Sequence, residues 1–388
     1  MSGPLLSLRH LYHEFFARAG DGFHLAAHSH HPWPDVSRAA HIAYWDDSAR
    51  LVDIKWAHFY AEVLPQAQAL VAHLVRAPDP KQVCFAPNTH ELVVRLLSAL
   101  DWRRPQRVLC SAHEFHSFAR QLRRLEETGQ VRVTRVAAEP YADFAERFKA
   151  AATATAPDLV FVSQVLFDSG FVVTGLEEIA AQLPGECLFV VDGYHAFCAL
   201  PVDWSKLAGR AFYLAGGYKY AQAGEGACFL IAPPQLALRP LITGWFANFA
   251  ELDGPQTAAV TYAADGQRYA GATFDASGIY RLLAVWRQFE ELGIAPEHIH
   301  AHVAALQARF LAAAADWSWV KGGVWHPPHG IERGNFLTLA HPQAPALQAR
   351  LAAAGVTVDR RGERLRFGFG VYQDQPFIDA VIARLAQL

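Results

Sequence analysis

Between about residue 51 and residue 255, apolar strand patterns alternate with helical patterns, and this alternation restricts the fold more than any other feature. Apolar runs at 107–110, 158–163 and 188–191 have the unbroken hydrophobicity of strands buried on both faces. A strand, a helix and a second parallel strand form a right-handed unit. The pattern therefore predicts an α/β fold with a mostly parallel sheet.

The 388 residues are enough for two domains. Residues 51–255 are expected to form the larger domain. A further set of helix and strand patterns occupies 296–388, so residues 1–50 and 256–388 are expected to form a smaller α/β domain.

Two charged residues stand where apolar runs end. Asp192 closes the run at 188–191, and Lys219 follows a second run and the turn Gly216-Gly217. Ligands of open α/β sheets bind beyond the carboxyl ends of the strands. A buried lysine can hold an aldehyde as an imine, and an aspartate can pair with a pyridinium nitrogen, so the pattern indicates pyridoxal phosphate (PLP). A solvent-facing lysine and a helix-capping aspartate are the alternative interpretations.

Three segments carry a resemblance to a known family. They are Val-Asp-Gly-Tyr-His at 191–195, Gly-Tyr-Lys-Tyr-Ala-Gln-Ala-Gly-Glu-Gly at 217–226, and Gly-Trp-Phe at 244–246. With these motifs the chain resembles the class V aminotransferase group, and within it kynureninase. The resemblance implies fold type I, with a large PLP-binding domain and a smaller C-terminal α/β domain. It also implies a homodimer with shared active sites.

The resemblance further implies which residues contact the cofactor. Lys219 would bind PLP covalently and move protons at the substrate α-carbon, Asp192 would pair with the pyridine nitrogen, and His195 would orient the Asp192 region. The other implied contacts, with the ring, its O3′ or its phosphate, are Phe115, Asn88, Thr89, His90, Gln164, Tyr218, Trp245 and Thr273. Trp245 and Thr273 are expected at a two-fold interface, beside the cofactor of the partner subunit.

On the substrate side, Arg366 interrupts an apolar strand pattern, where a charge is costly unless it is paired. The resemblance implies that it binds the substrate α-carboxylate, while a surface-facing strand position is the alternative. His28, His30 and His31 replace residues that kynureninases carry near the substrate, and Phe274 alters another wall, so all four are expected to contact substrate. The three histidines lie in a loop without a nearby cysteine, and no metal site is expected.

The predicted reaction is kynureninase-like hydrolytic Cβ–Cγ cleavage of a γ-keto or aromatic amino acid. A class V aminotransferase or another PLP-dependent lyase is the alternative. Cysteine desulfurases are disfavoured, because they need a thiol in the C-terminal third and the last cysteine here is Cys228. A scaffold without cofactor is a further alternative, which the presence of both Lys219 and Asp192 argues against.

Composition excludes several other classes of protein. The net charge of −3 and the lack of a basic tract argue against nucleic-acid binding. No apolar run reaches the length of a membrane span, and the first residues lack a signal-peptide pattern. The five cysteines are scattered without C-x-x-C spacing, which is typical of reduced thiols. A cytoplasmic enzyme for a small amino-acid substrate is expected.

Overall fold

The computed structural model describes residues 6–20, 22–251 and 259–388. Its strands are β1 (Phe23–His24), β2 (Val83–Ala86), β3 (Gln106–Ser111), β4 (Val131–Val136), β5 (Leu159–Ser163), β6 (Leu188–Asp192), β7 (Phe212–Gly216), β8 (Cys228–Ile231), β9 (Val324–His326), β10 (Phe336–Ala340), β11 (Val356–Thr357), β12 (Asp359–Arg361) and β13 (Arg364–Gly368). Its α-helices are α1 (His13–Ala19), α2 (Val36–Leu51), α3 (Lys55–His58), α4 (Leu64–Leu74), α5 (Thr89–Ser98), α6 (His116–Glu127), α7 (Phe144–Thr155), α8 (Leu176–Gln182), α9 (Ser277–Glu291), α10 (Pro296–Ala314), α11 (Ala344–Ala353) and α12 (Gln375–Leu385).

The main sheet has seven strands in the order β2-β8-β7-β6-β5-β3-β4. Strand β8 pairs antiparallel with both of its neighbours, while β7, β6, β5, β3 and β4 form a parallel series. Every residue of β5 and β7 is buried, as the unbroken apolar runs predict. The predicted α/β fold with a mostly parallel sheet is confirmed.

Helices cover both faces of this sheet, because successive strand residues point to opposite sides. In β6, Phe189 and Val191 belong to one apolar cluster, which also contains residues of α4 and α9. Val190 belongs to the opposite cluster, where Phe118 of α6 stacks on Phe161 with ring centroids 3.8 Å apart. Each such fully buried side chain stabilises the fold by about 1.5–3 kcal/mol.

A second, antiparallel sheet has the order β12-β13-β10-β9. Strand β1, near the start of the chain, pairs with β11, and Ala26 bridges to Gly368 at the end of β13. A Cβ on Gly368 would lie 2.2 Å from Nδ1 of His28, so this close approach requires glycine. The N-terminal segment thus packs on the C-terminal sheet.

The predicted domain boundary between 255 and 256 lies outside the described residues, and the division into two domains stays a prediction. Within the ranges described, no helix has both the length and the apolar character needed to cross a bilayer.

Candidate active site

A cavity of about 380 Å³ lies at the edge of the main sheet where the parallel strands end. Strand β5 ends there at Ser163 and β6 at Asp192, while β7 leads through a glycine turn to Lys219. The sequence-predicted residues that line the cavity are Asn88, Thr89, Phe115, Asp192, His195, Tyr218 and Lys219. Segments far apart in sequence therefore meet at the edge where the sheet rule places ligands. A larger cavity of about 830 Å³ adjoins it and shares Glu225 and Gly226.

Lys219 lies in this cavity between two aromatic rings. Its Nζ is 5.8 Å from the ring centroid of Phe115 and 5.4 Å from that of Tyr194, and it hydrogen-bonds Nε2 of His195. Burial lowers the pKa of Lys219 well below its usual value, and the nearby Arg366 guanidinium lowers it further. The amine consequently gives up its proton more readily than an exposed lysine does.

His195 is the hydrogen-bond partner of that amine. Burial lowers the pKa of His195 well below its usual value, and the Lys219 charge acts in the same direction, so the ring is neutral. Its Nδ1 is buried, with no hydrogen-bond partner among the described residues. A buried polar atom without a partner is costly, and this one offers a bound group a contact within the site.

Asp192 stands at the end of β6, where its Oδ1 accepts a hydrogen bond from the Tyr194 backbone N–H at 2.9 Å. Burial raises the pKa of Asp192, while the Lys219 charge lowers it. A carboxylate placed in such surroundings is stabilised by a further cationic partner. A protonated pyridine nitrogen is a partner of that kind.

The N-terminus of α5 forms another wall of the cavity. Asn88 caps the helix, its side chain accepting a hydrogen bond from the Glu91 backbone N–H at 3.0 Å, and Thr89 is the first helical residue. The free N–H groups and the dipole of a helix start favour an anion such as phosphate. The cavity therefore has the groups that PLP needs. They are the aromatic ring of Phe115, the Asp192 carboxylate, the unpartnered Nδ1 of His195 and the start of α5.

Two further predicted cofactor contacts, Gln164 and His90, lie outside the cavity lining. Gln164 follows β5, and its side-chain oxygen accepts a hydrogen bond from the Tyr213 hydroxyl at 3.3 Å. His90 is exposed and lies 3.2 Å from the Gln121 side chain. Neither residue lines the Lys219 cavity of its own chain, and their predicted cofactor contacts stay predictions.

Phe274 does not line the Lys219 cavity of its own chain, and its predicted substrate contact stays a prediction. It packs against Trp56 and Phe59, with ring centroids 6.4 and 6.3 Å away, in an aromatic cluster separate from the Lys219 cavity. Thr273 is exposed, and Trp245 has 45% of its surface exposed. The expected contacts of Trp245 and Thr273 with the cofactor of a partner subunit stay predictions.

The three clustered histidines separate into different environments. His28 is fully buried, stacked on Phe336 with centroids 4.5 Å apart, and its ring lies 6.4 Å from that of His195. His30 is exposed, with its ring 5.5 Å from the Tyr218 ring at the cavity wall. Of the three, His28 and His30 therefore neighbour residues that line the site.

His31 packs in the core instead of facing the cavity. Its Nδ1 lies 2.7 Å from the Pro32 carbonyl oxygen, and its ring meets Tyr220 and Tyr372 edge-on. Burial lowers the pKa of His31 to about 3, so the ring is neutral. His31 does not line the Lys219 cavity, but it lines a neighbouring cavity of about 320 Å³ together with Tyr218 and Glu225, and its predicted substrate contact stays a prediction.

Arg366 is an interior residue of β13, only 2% exposed, so the surface-facing alternative is wrong. Its Nη2 bonds to the carboxylate of Asp359 and its Nη1 to the carbonyl oxygen of Phe167. Burial lowers the pKa of Arg366, while Asp359 raises it. The guanidinium is close enough to Lys219 to depress the pKa of that amine.

The sequence interpretation missed Glu114, which lies directly before Phe115. Its carboxyl group connects the ends of β3 and β5, bonding the hydroxyls of Ser111 and Ser163 at 2.5 Å each. Burial raises the pKa of Glu114 to about 7, and the Asp192 charge contributes to the rise. Its position, between an apolar strand pattern and a helical pattern, could have marked Glu114 as a residue at the edge of the sheet.

The sequence interpretation also missed Asp359, the partner of Arg366. Asp359 and Arg366 are opposite each other in the antiparallel pair β12–β13. The register of that hairpin was the available signal, because it decides which side chains meet across the two strands.

A family model described as aminotransferase class-V matches residues 37–317. No curated protein matches the chain in sequence. A lysine-to-alanine mutant of C-DES, with glycine covalently linked to the PLP cofactor, is similar in structure, with TM-score 0.84 at 16% identity over 98% of this chain and 99% of that chain.

Two other similar structures are a C–S lyase and a cysteine desulfurase. The cystine C–S lyase C-DES in complex with its product cysteine persulfide has TM-score 0.82 at 16% identity, covering 96% of this chain and 99% of that chain. The cysteine desulfurase CsdA from Escherichia coli has TM-score 0.77 at 17% identity, covering 98% of this chain and 97% of that chain. Identities this low establish likeness of fold.

These comparisons correct the predicted reaction. Kynureninase-like hydrolytic cleavage is wrong, since the similar structures are a C–S lyase, which falls under the alternative of another PLP-dependent lyase, and cysteine desulfurases, which the sequence interpretation disfavoured. Two of the three motifs behind the kynureninase resemblance, at 191–195 and 217–226, contribute residues to the Lys219 cavity. Residues that hold a cofactor do not fix which substrate bond is broken.

Proposed function

Because the chain belongs to the class V aminotransferase family, we propose that it is a PLP-dependent lyase that breaks the C–S bond of a sulfur-containing amino acid such as cystine. The single observation that carries the proposal is the Lys219–His195 pair, a basic amine in a cavity that fits PLP. The choice of a sulfur substrate is supported by the fold of the cystine C–S lyase C-DES.

PLP is the cofactor of this family, and when bound it supplies an electron sink for the electron pair released at the substrate α-carbon. Lys219 would hold it, and Asp192 and the start of α5 would bind its nitrogen and phosphate. Phe115 would stack on the ring. A bound amino acid would then have its α-proton near the Lys219 amine.

The chemical step assigned to the chain is a proton transfer. Lys219 Nζ accepts the α-proton, and neutral His195 holds the amine in place through its Nε2. The Cβ–S bond then breaks, and its electron pair leaves with the sulfur. With cystine and water, the balanced products are cysteine persulfide, pyruvate and ammonia.

Arg366 is assigned to the substrate α-carboxylate, because a guanidinium binds a carboxylate through two parallel hydrogen bonds. Its Nε is buried, with no hydrogen-bond partner in the described part of the chain. The nearby His28 and His30 are assigned to the wall of the substrate pocket.

The burial of the cysteines indicates whether the sulfur released from the substrate can be transferred to a protein thiol. All five, the last being Cys228, are buried and free of disulfides. Burial raises the pKa of Cys228, which lines the cavity, to about 11, so its thiol is protonated and a poor nucleophile. We therefore infer that the sulfur product leaves with the small molecule and is not passed to a protein thiol.

The assembly we propose is a homodimer. Three apolar side chains that lie close in sequence, Leu241, Ile242 and Trp245, are 75%, 55% and 45% exposed. Exposed apolar side chains of this size favour a subunit contact here. Pairing through this contact would bring Trp245 and Thr273 to the cofactor of the partner subunit.

The test is turnover of L-cystine by the purified, PLP-loaded protein. We expect pyruvate and sulfane sulfur in equal amounts, and none from Lys219→Ala. L-Alanine serves as the control for transamination, with conversion of the cofactor to pyridoxamine phosphate as its readout. The proposal is overturned if L-cystine yields no pyruvate, or if L-alanine is transaminated faster than L-cystine is cleaved.

A further inference from the structure

The arginine assigned to the substrate carboxylate already holds a carboxylate of its own chain. Arg366 Nη2 contacts Asp359, and the side chains are 3% and 14% exposed. Both residues lie on the same face of the sheet, because they are opposite each other in the register of β12 and β13. Their contact is therefore fixed by the backbone.

The surroundings of this pair contain more polar atoms than it can satisfy. Nε of Arg366, both ring nitrogens of His28 and the hydroxyl of Thr338 are buried, with no partner among residues 6–20, 22–251 and 259–388. Thr338 faces Arg366 from β10, and His28 Nε2 is 3.8 Å from the Asp359 carboxylate. Asp359 thus fills only part of a site that can bind more acceptor oxygens.

Asp359 also contacts a second cation. Its Oδ1 lies 3.1 Å from Nη1 of Arg361, a side chain that is 43% exposed. Asp359 can therefore release the buried guanidinium and keep a charged partner at the surface. Removing one member of a buried ion pair is costly when the other stays unpaired, and here a substrate carboxylate would take the vacated place.

We propose that Asp359 determines the affinity of this site for amino acids by competing with the substrate carboxylate for Arg366. In the empty site Asp359 holds Arg366. A bound amino acid takes the guanidinium, and Asp359 stays with Arg361. The inference rests on the proposed role of Arg366 and does not depend on which bond the enzyme breaks.

The first test measures the dissociation constants of L-alanine and ethylamine from the PLP-loaded protein through the absorbance of the cofactor. Asp359→Asn removes the competing charge, and we expect L-alanine to bind about 10- to 100-fold more tightly, the range of one hydrogen bond to a charged group. Ethylamine has no carboxylate, so its dissociation constant is expected to stay within about twofold. Equal L-alanine affinity in both proteins, or equal tightening of both ligands, would overturn the proposal.

A second variant keeps the proposal testable if Asp359→Asn fails to fold. Arg361→Ala removes the cation that retains the displaced Asp359, so L-alanine is expected to bind about fivefold or more weakly, with ethylamine unchanged. Unchanged L-alanine affinity in Arg361→Ala would overturn the proposal. Asp53→Asn, an exposed change outside the site, is the matched control.

A third measurement needs neither catalysis nor cofactor. Without PLP, Asp359→Asn leaves the buried Arg366 without a carboxylate partner. Acetate should therefore raise the melting temperature of this variant more than that of the wild type. Failure of cystine cleavage alone would reject the proposed reaction and leave these binding results standing.

Discussion

Glu114 should make the stability of the protein fall as the pH rises, because burial raises the pKa of its carboxyl group from the ordinary 4.5 to about 7. The folded protein then binds the proton more tightly than the unfolded chain does. Its contribution to the free energy of unfolding is greatest below pH 4.5 and is lost progressively up to about pH 7. Glu114 is only 6% exposed, so solvent screens little of this effect.

The magnitude follows from the two pKa values. Between pH 5 and pH 8 the loss is about 2.5 kcal/mol, since each tenfold difference in proton affinity is worth about 1.4 kcal/mol. Glu114→Gln keeps a neutral side chain of the same shape, which can still hydrogen-bond Ser111 and Ser163. The variant should lose about 2.5 kcal/mol less stability than the wild type over the same pH interval.

The assay is urea unfolding at pH 5 and pH 8, at one fixed protein concentration. Titration of the histidines contributes equally to both proteins and cancels in the comparison. Glu186→Gln, an exposed change, is the control and should behave as the wild type. If Glu114→Gln and the wild type lose the same free energy between the two pH values, the argument from burial is refuted.

Four further predictions concern the cofactor, the fold and the assembly. Lys219→Ala should lose the borohydride-fixed PLP adduct in mass spectrometry, and an adduct of unchanged stoichiometry would contradict the assignment. Asp192→Asn should keep PLP in the absorbance spectrum but lower kcat about 100-fold or more, because it removes the carboxylate charge that would pair with the pyridine nitrogen. Near-normal turnover would exclude this pairing. Gly224→Ala, with φ +67° and a Cβ placed 2.4 Å from Trp33, should cost about 2–5 kcal/mol in urea unfolding, whereas Gly129→Ala, with φ +71° and open space, should cost about 1–2 kcal/mol. Trp245→Glu should shift the mass in solution from dimer to monomer, and a wild type that is already monomeric would end the dimer proposal.

The sequence predicted the main sheet closely. The runs at 158–163 and 188–191 became β5 and β6, with ends that differ by one residue. Residues 356–361 form two short strands, β11 and β12, because the chain changes its pairing partner from β1 to β13. Such long-range pairing leaves no local sequence pattern.

Prediction of the site succeeded where residues follow strand ends and failed where contacts depend on packing. Asp192 and Lys219 line one cavity because the carboxyl ends of neighbouring parallel strands share an edge. The pairing of Asp359 with Arg366 across the hairpin could have been predicted from the two-residue turn at Gly362, since a tight turn fixes the register of a hairpin. The reaction was predicted wrongly because the motifs at 191–195 and 217–226 line the cavity that fits the cofactor, and such residues do not fix which bond is broken.

The pairing of β1 with β11 has a consequence for the synthesis of the protein. A ribosome releases the N-terminal segment first, at about 5–20 residues per second, but the strand that pairs with Phe23 and His24 emerges only near the end of translation. The strands of the main sheet end at Ile231, and α9, which packs on one face of the sheet, ends at Glu291, so the sheet can assemble on the nascent chain. The segment carrying His28 must remain unpaired until then, so a chain truncated before Val356 would present an assembled sheet beside an incomplete pocket.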